Sequence, residues 1–265
     1  MSALGQRILS GLVLAPAVLA IIYYGGVAFV ALILVAAAIA AWEWARLCGE
    51  GEVLQTGWAL IASVVAVLLL VFLDEYGPAG WGIALATVGI AVLSSRQETE
   101  SSRWLPFGVF YLSLCFLALF WLREGDQGRV ILFWLLAVIW AADCGAFFVG
   151  RSLGGPKLAP QISPNKTWSG LIGGAAAAAL VAVIFAWLAR AIWDLSLPPQ
   201  AGAASAAILA LVGQAGDLLE SALKRRFGQK DSSNLIPGHG GILDRIDSLT
   251  YTAPLFFHFV YYFYY

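Results

Sequence analysis

Nine apolar runs dominate this chain, and each is long enough, or nearly so, to cross a lipid bilayer. A membrane-spanning helix needs about 20 apolar residues, with a range of roughly 17–25. Only 12% of the 265 residues are charged, whereas an average soluble domain carries about 25%. A water-soluble fold and a disordered chain are therefore both excluded. The runs are Ile8–Tyr24, Val27–Trp44, Trp58–Leu73, Trp81–Leu93, Trp104–Leu122, Val130–Val149, Leu171–Trp193, Ala201–Leu219 and Thr250–Tyr265.

These runs predict an all-α integral membrane protein with about nine transmembrane helices. The short run Trp81–Leu93 leaves a re-entrant segment open as the alternative. No linker divides the chain, so we expect one polytopic domain over residues 1–265, in which residues 1–122 form a scaffold and residues 130–265 carry the active site. The run Ala175–Ala179 predicts a close helix-packing face, because small residues let helix backbones approach each other.

The basic residues predict the orientation of the chain, because cytoplasmic loops are enriched in Lys and Arg. With the N-terminus inside and nine spans, only Arg123, Arg129 and Arg190 of the fifteen basic residues fall outside. The aromatic run Tyr261–Tyr265 then lies at the outer interface, with the C-terminus outside. We expect a multi-pass protein of the cell (inner or plasma) membrane with a polar cavity facing the cytoplasm.

Asp143 and Asp217 each place a carboxylate inside an apolar run. A charged group at the centre of a lipid-facing helix costs roughly 2.5–3.5 kcal/mol even on insertion scales, so such residues usually face a polar cavity. A structural ion pair with a nearby Lys or Arg is the alternative. Both acids lead into polar segments predicted to be inside, Gly150–Gly170 and Glu220–Ser248.

The second polar segment holds Asp244 and Asp247, three residues apart, which would share one face of a helix if they open the last span. Paired carboxylates suit Mg²⁺, which is typically held by one or two carboxylates and substrate phosphates. Asp217 ends the preceding span, so the segment could bring it towards Asp247. Acids placed at the positive end of a helix dipole are the alternative.

A glycine-rich turn, Pro237–Gly241, lies directly before this predicted helix. Exposed backbone N–H groups beside a helix N-terminus can cradle phosphate, although such a string alone can be a simple turn. Cations that would bind phosphate oxygens flank it, namely Lys224, Arg225, Arg226 and Lys230. The stretch Ser163–Thr167 adds hydroxyls and Lys166. Together these groups suit phosphoryl or nucleotidyl transfer, in which positioning and charge stabilisation provide most of the catalysis.

The stretch from Ser221 to Asp247 resembles the signature of the phosphatidate cytidylyltransferase (CDP-diacylglycerol synthase) family. The resemblance also covers Gly216–Leu218, Ser163–Trp168 and Asp143 through Arg151, with departures at Phe147, Asn165 and Ser169. The matching signature positions are Ser221, Leu223, Lys224, Arg225, Lys230, Asp231, Ser233, Pro237, His239, Gly240, Gly241, Asp244, Arg245 and Asp247.

The resemblance implies transfer of CMP from CTP to phosphatidic acid with release of pyrophosphate, and it implies a requirement for Mg²⁺. Its carboxylate metal ligands would be Asp217, Asp244 and Asp247. The remaining implied catalytic residues are Asp231, Lys224, Arg225 and His239. The implied substrate-binding residues are Asp143, Ser163, Lys166, Thr167, Ser221, Lys230, Gly240, Gly241 and Arg245.

Several alternatives stay open at the level of sequence. A CTP-dependent lipid kinase of the polyprenol type would also use cytoplasmic CTP, but it would release CDP. A transporter for an anion or a lipid would instead place ionisable pairs at mid-helix and repeat its halves. We expect the lipid bilayer, CTP and phosphatidic acid as partners and no nucleic acid. A second, monovalent cation and a homodimer are left open.

Overall fold

A computed structural model describes residues 3–73, 76–96, 100–195 and 198–264. Within these ranges the chain forms ten α-helices, one short 3-10 helix and one β-hairpin. The helices are α1 (Ala3–Tyr24), α2 (Gly26–Cys48), α3 (Gln55–Phe72), α4 (Tyr76–Ser94), α5 (Leu105–Glu124), α6 (Gly128–Leu153), α7 (Trp168–Trp193), α8 (Pro199–Arg226), α9 (Leu243–Ile246) and α10 (Leu249–Tyr264), the 3-10 helix is Glu100–Trp104, and the strands are β1 (Lys157–Ala159) and β2 (Ser163–Thr167).

Each of the nine predicted apolar runs coincides with a helix, although Tyr265, the end of the last run, lies outside the described residues. Helices are expected because a segment in hydrocarbon must satisfy its backbone N–H and C=O groups internally. Within the described ranges, six helices are long and apolar enough to cross a membrane: Gly26–Cys48, Gln55–Phe72, Ser102–Glu124, Gly128–Leu153, Trp168–Trp193 and Pro199–Arg226. The chain is therefore an all-α, multi-pass membrane protein.

The chain divides into two compact units. The first contains Met1–Trp121 and Leu223–Ile246, and its helices α2 and α3 pack against each other. The buried face of α2 includes Phe29, Ile33, Ala37, Ala40 and Trp44, a spacing of three and four residues that places them on one side of the helix. The indole nitrogen of Trp44 donates to the Trp104 carbonyl at 3.1 Å, which fixes the 3-10 helix against α2.

The second unit contains Leu122–Ala222 and Asp247–Tyr265, and the pairing of α6 with α7 dominates it. A stripe of small residues on α7 is buried at every fourth position: Gly170, Gly174, Ala178, Ala182 and Ala186. A Cβ added at Gly174 would lie only 2.7 Å from the backbone oxygen of Ala142 on α6. The close packing predicted for Ala175–Ala179 is thus present, but it involves every fourth residue rather than the whole run.

Two local features differ from the sequence-based expectations. The polar segment after α6 is not purely a loop, because β1 and β2 pair as an antiparallel hairpin. Asp244 and Asp247 do not share a face of one helix, because Asp244 lies in α9 and Asp247 in the break before α10. The Asp247 carboxylate accepts the Ser248 N–H at 2.7 Å, and such local side-chain bonds compete with a continuous helix.

Candidate active site

The segment between α8 and α9 forms a polar cavity in the first unit, with a volume of about 690 Å³. A tight turn shapes it, since the Ile236 N–H donates to the Gly240 carbonyl at 2.8 Å and the His239 N–H donates to the Ile236 carbonyl at 2.9 Å. The cavity is lined by Lys230, Asp231, Asn234, Ile236, Pro237, Gly238, His239, Gly240 and Arg245. Five of the predicted site residues therefore face one space: Lys230, Asp231, His239, Gly240 and Arg245.

Lys224 and Asp244 form a buried ion pair beside this cavity. The Lys224 Nζ donates to Asp244 Oδ1 at 2.5 Å, and the two side chains are only 9% and 6% exposed. Burial alone would raise the pKa of the Asp244 carboxyl, but hydrogen bonds from Lys224, Gly241 and Ser232, together with the charge of Lys224, outweigh it. The pKa of Asp244 therefore lies below its usual value, and Asp244 is a carboxylate at neutral pH.

The second oxygen of Asp244 organises the loop around it. Oδ2 lies 2.9 Å from the N–H groups of Ser232 and Gly241, and 2.8 Å from the Ser232 hydroxyl. Gly240 has a φ of 84°, a conformation that glycine adopts readily and other residues avoid. A Cβ there would also lie 2.7 Å from Asp244 Oδ2. The Gly241 N–H, predicted to bind phosphate, thus donates within the protein in this structure, and its phosphate role stays a prediction.

Glu43 on α2 was not predicted as a site residue, yet it is fully buried against this loop. Its carboxylate accepts hydrogen bonds from the Ser233 hydroxyl at 2.6 Å and the Leu243 N–H at 2.8 Å. The sequence did carry a signal, because Glu43 is an acid within an otherwise apolar run. The argument applied to Asp143 and Asp217 applies to it equally.

The imidazole of His239 is held by α1. Its Nδ1 lies 2.8 Å from the Ser10 hydroxyl, which also lies 3.2 Å from the Pro237 carbonyl. The ring is half-buried at the cavity wall. Arg225 is exposed, and its guanidinium donates to the Gln229 carbonyl at 3.2 Å. The structure thus places His239 at the cavity, whereas Arg225 is not among the lining residues.

In the second unit, Lys166 and Asp217 form an ion pair. The other carboxylate oxygen of Asp217 accepts the Ser221 hydroxyl at 3.2 Å. The Asp217 side chain is 28% exposed, whereas the Lys166 ammonium nitrogen is buried, so only the Asp217 side of the pair is partly open to its surroundings. The fold therefore brings Lys166 of β2 to Asp217 and Ser221, which lie one turn apart on α8.

Close packing also brings the backbone beside Asp217 to Asp247. A Cβ at Gly216 would lie 3.0 Å from the Asp247 carbonyl oxygen and 2.5 Å from the Tyr251 ring. Glycine at position 216 permits this close approach of the backbones, and the convergence of the Asp217 and Asp247 carboxylates stays a prediction. Asp143 lines a small cleft together with Gln214 and Ser248.

The remaining predicted residues of this unit have structural partners. Thr167 caps α7, since its hydroxyl accepts the Gly170 N–H at 3.1 Å, as an N-cap residue does. Ser163 begins β2, where it pairs with Ala159. The structure therefore gives Thr167 a role in helix stability, and its contact with substrate stays a prediction.

The carboxylates predicted to bind metal have protein partners in this structure. In the part of the chain that the structure describes, no group of three or more His, Cys, Asp and Glu side chains is arranged to hold a metal ion. Asp244 explains part of this result, because its two oxygens already accept bonds from Lys224, Ser232 and Gly241. A metal bound there would have to displace one of these donors. The ligand set stays a prediction.

The similarity of this chain to known proteins extends over nearly its whole length. The profile of the Cytidylyltransferase family matches residues 5–263. A phosphatidate cytidylyltransferase from Brucella suis biovar 1 (strain 1330) is 40% identical over 264 residues, covering 98% of this chain and 94% of that protein. Proteins of the same name are 39% identical in Pseudomonas aeruginosa, covering 96% of this chain and 95% of that protein, and 36% identical in Bacillus subtilis, covering 95% and 96%.

Proposed function

Because this chain belongs to the cytidylyltransferase family, we infer that it transfers CMP from CTP to phosphatidate, forming CDP-diacylglycerol and pyrophosphate. The observation that carries this inference is the full-length similarity to enzymes named for this reaction. The polar cavity that is lined by signature residues agrees with it. Nothing in the comparisons favours a lipid kinase or a transporter.

The reaction needs little acid–base chemistry. A phosphate oxygen of phosphatidate attacks the α-phosphorus of CTP, and the bond from that phosphorus to the bridging oxygen of the β-phosphate breaks. Pyrophosphate leaves with the electron pair. The nucleophile is already an anion, so the main difficulty is to bring two anions together. Catalysis in such transfers comes chiefly from positioning and charge stabilisation.

The first unit supplies cations for this task. Lys230 and Arg245 are exposed to the cavity, where they can bind phosphate oxygens. The guanidinium group of Arg245 can bind two oxygens at once, whereas Lys230 provides a compact positive charge. Asp244 holds the buried Lys224 ammonium in a fixed place, so this charge needs no reorganisation when substrate binds. His239 completes the wall, with its ring oriented by Ser10.

Carboxylates of the second unit fit a divalent cation in their donor chemistry. Asp217 offers a partly exposed carboxylate, and the backbone next to it approaches Asp247 closely. Oxygen ligands from one or two carboxylates, completed by substrate phosphates, are what Mg²⁺ prefers. Asp217 and Asp247 would hold the ion, which when bound supplies Lewis-acid polarisation of the phosphate and charge for the leaving group. Lys166 would lie beside it and share its attraction for phosphate.

We further propose the membrane arrangement. The nine apolar helices would all cross the bilayer or enter it, with the N-terminus in the cytoplasm and the C-terminus outside. The distribution of basic residues supports this orientation, since Lys230 and Arg245 would then face the compartment that holds CTP. The cell membrane is the expected location, because the lipid substrate resides there.

The experiment that tests the function is product analysis with purified protein in detergent. Incubation with CTP, phosphatidate and Mg²⁺ should yield pyrophosphate and a CDP-lipid in equal amounts. Omission of phosphatidate should abolish both products. Release of CDP together with a newly phosphorylated lipid would contradict the proposal and indicate a kinase.

A further inference from the structure

The fully buried carboxylate of Glu43 binds both ends of the segment that forms the polar cavity. Oε1 accepts the Ser233 hydroxyl at 2.6 Å and the Ile242 N–H at 3.0 Å. Oε2 accepts the Leu243 N–H at 2.8 Å and lies 3.1 Å from the Ser232 hydroxyl. Glu43 therefore closes the segment into a loop from a position about two hundred residues earlier in the chain.

This arrangement solves two physical problems at once. A carboxylate buried without partners is strongly destabilised, and here four donors surround it. The N–H groups at the start of a helix lack partners within the helix, and α9 has only four residues to stabilise itself. Glu43 accepts the N–H of Leu243, the first residue of α9, and that of Ile242 before it. The carboxylate thus acts as a helix cap supplied by α2.

The Ser232 hydroxyl links Glu43 to the Lys224–Asp244 pair. It lies 3.1 Å from Glu43 Oε2 and 2.8 Å from Asp244 Oδ2. A hydroxyl has one proton, so it donates to one carboxylate at a time. The backbone of Gly241 lies against the same group, since a Cβ there would be 2.3 Å from Glu43 Oε1. Displacement of Glu43 must therefore shift the loop that carries Asp244 and the cavity wall.

We propose that Glu43 is a positioning residue for the transfer reaction. Its carboxylate holds the loop from Ser232 to Leu243 in the conformation that binds the phosphates of the nucleotide. The proposal rests on the function inferred above, and it adds a residue of α2 that the signature does not contain. A binding loop that is already held in its bound conformation gains affinity, because it need not be ordered when the nucleotide binds.

The test compares Glu43→Gln with the matched control Glu52→Gln, which makes the same chemical change at an exposed position after α2. Glutamine keeps the shape of glutamate, but its NH₂ group would face donors instead of accepting from them. Two measurements are made on each purified protein: kcat and KM for CTP, and hydrogen–deuterium exchange of peptides covering residues 231–243. The exchange measurement does not depend on activity.

We expect E43Q to lower kcat/KM for CTP at least tenfold, mainly through KM, and to speed exchange at Ile242 and Leu243 at least tenfold. E52Q should match the parent in both measurements, and Glu43→Asp should recover part of the loss. A role confined to folding would lower the amount of active protein and leave KM unchanged, which would overturn the proposal. Unchanged exchange, or faster exchange with unchanged kinetics, would also overturn it.

If the inferred function is wrong, the parent protein itself makes no CDP-lipid. The exchange measurement still tests whether Glu43 holds the loop. If E43Q is not recovered folded, Ser233→Ala provides the milder variant, because it removes one donor and keeps the charge. S233A should raise KM for CTP about threefold and speed exchange at the same peptides. Parent-like values for both would refute the positioning role.

Discussion

Removal of both members of the buried Lys224–Asp244 pair should cost less stability than the sum of the two single removals. In Asp244→Asn, the amide oxygen can still accept the N–H groups of Ser232 and Gly241, but the amide NH₂ then faces the Lys224 ammonium. An ion left unpaired in a buried site costs about 3–5 kcal/mol. In Lys224→Met, the Asp244 carboxylate keeps its three other hydrogen-bond contacts, so we expect a smaller loss of about 1–3 kcal/mol.

The double variant K224M/D244N removes both charges, and the amide NH₂ introduced at position 244 no longer faces an ammonium group. Its loss of stability should therefore be smaller than the sum of the single losses by about 1–3 kcal/mol. The free energy of unfolding can be measured for the four proteins in mixed micelles by titration with a denaturing detergent. Lys157→Met serves as control, because Lys157 is exposed, and its effect should stay within about 0.5 kcal/mol. Additivity of the single losses within about 0.5 kcal/mol would refute the reasoning.

The other predictions concern four single positions. Asp247→Asn should fold with the thermal midpoint of the parent yet lose at least a hundredfold in CTP-dependent turnover, and parent-like turnover in a pyrophosphate assay would contradict its assignment as a metal ligand. Gly240→Ala should lower the free energy of unfolding by about 1–3 kcal/mol, because alanine is strained at positive φ and its Cβ meets the Asp244 carboxylate; an unchanged value would contradict the geometry. Thr167→Ala should cost about 1 kcal/mol through loss of the α7 cap while KM for CTP stays constant, and a raised KM would instead indicate substrate contact. The pKa of Asp244 is lowered in the folded protein. Its contribution to stability is therefore fully present above the ordinary Asp pKa of about 3.9 and is lost as the pH falls through the lower folded value. D244N should therefore weaken the acid dependence of unfolding below about pH 4.

The helices were the most predictable part of the molecule. A run of apolar residues in a bilayer has few alternatives to an α-helix, and in the described residues each of the nine runs coincides with a helix. A close packing face on α7 was also predictable, because glycines and alanines cluster in that part of the sequence, but its partner α6 was not. The helical period decides which of these small residues are buried, as Gly174 and Ala178, four residues apart, show.

The local geometry of the polar segments was harder to predict. The spacing of Asp244 and Asp247 suggested one helix, but the carboxylate of Asp247 binds the next backbone N–H and the helix is interrupted. Thr167, which the resemblance assigns to substrate binding, lies directly before α7 and caps it, and its contact with substrate stays a prediction. Both local contacts are short-range hydrogen bonds, which residue spacing does not encode.

The contacts of Glu43 show that partners distant in the chain could not be predicted from the sequence. Its burial among apolar residues marked it as unusual, but nothing in the sequence identifies its partners about two hundred residues later. Only the folded chain shows that Ser233 and Leu243 donate to it. The signature residues were recognised by their type and spacing, whereas the residue that anchors them belongs to a span without diagnostic pattern.

The most direct test of the central claim follows the fate of each phosphorus of CTP with the purified protein, phosphatidate and Mg²⁺. With CTP labelled at the α-phosphorus, the label should move into the lipid. With CTP labelled at the γ-phosphorus, the label should appear only in pyrophosphate. Transfer of the γ-label to the lipid, with the α-label remaining in CDP, would contradict the claim.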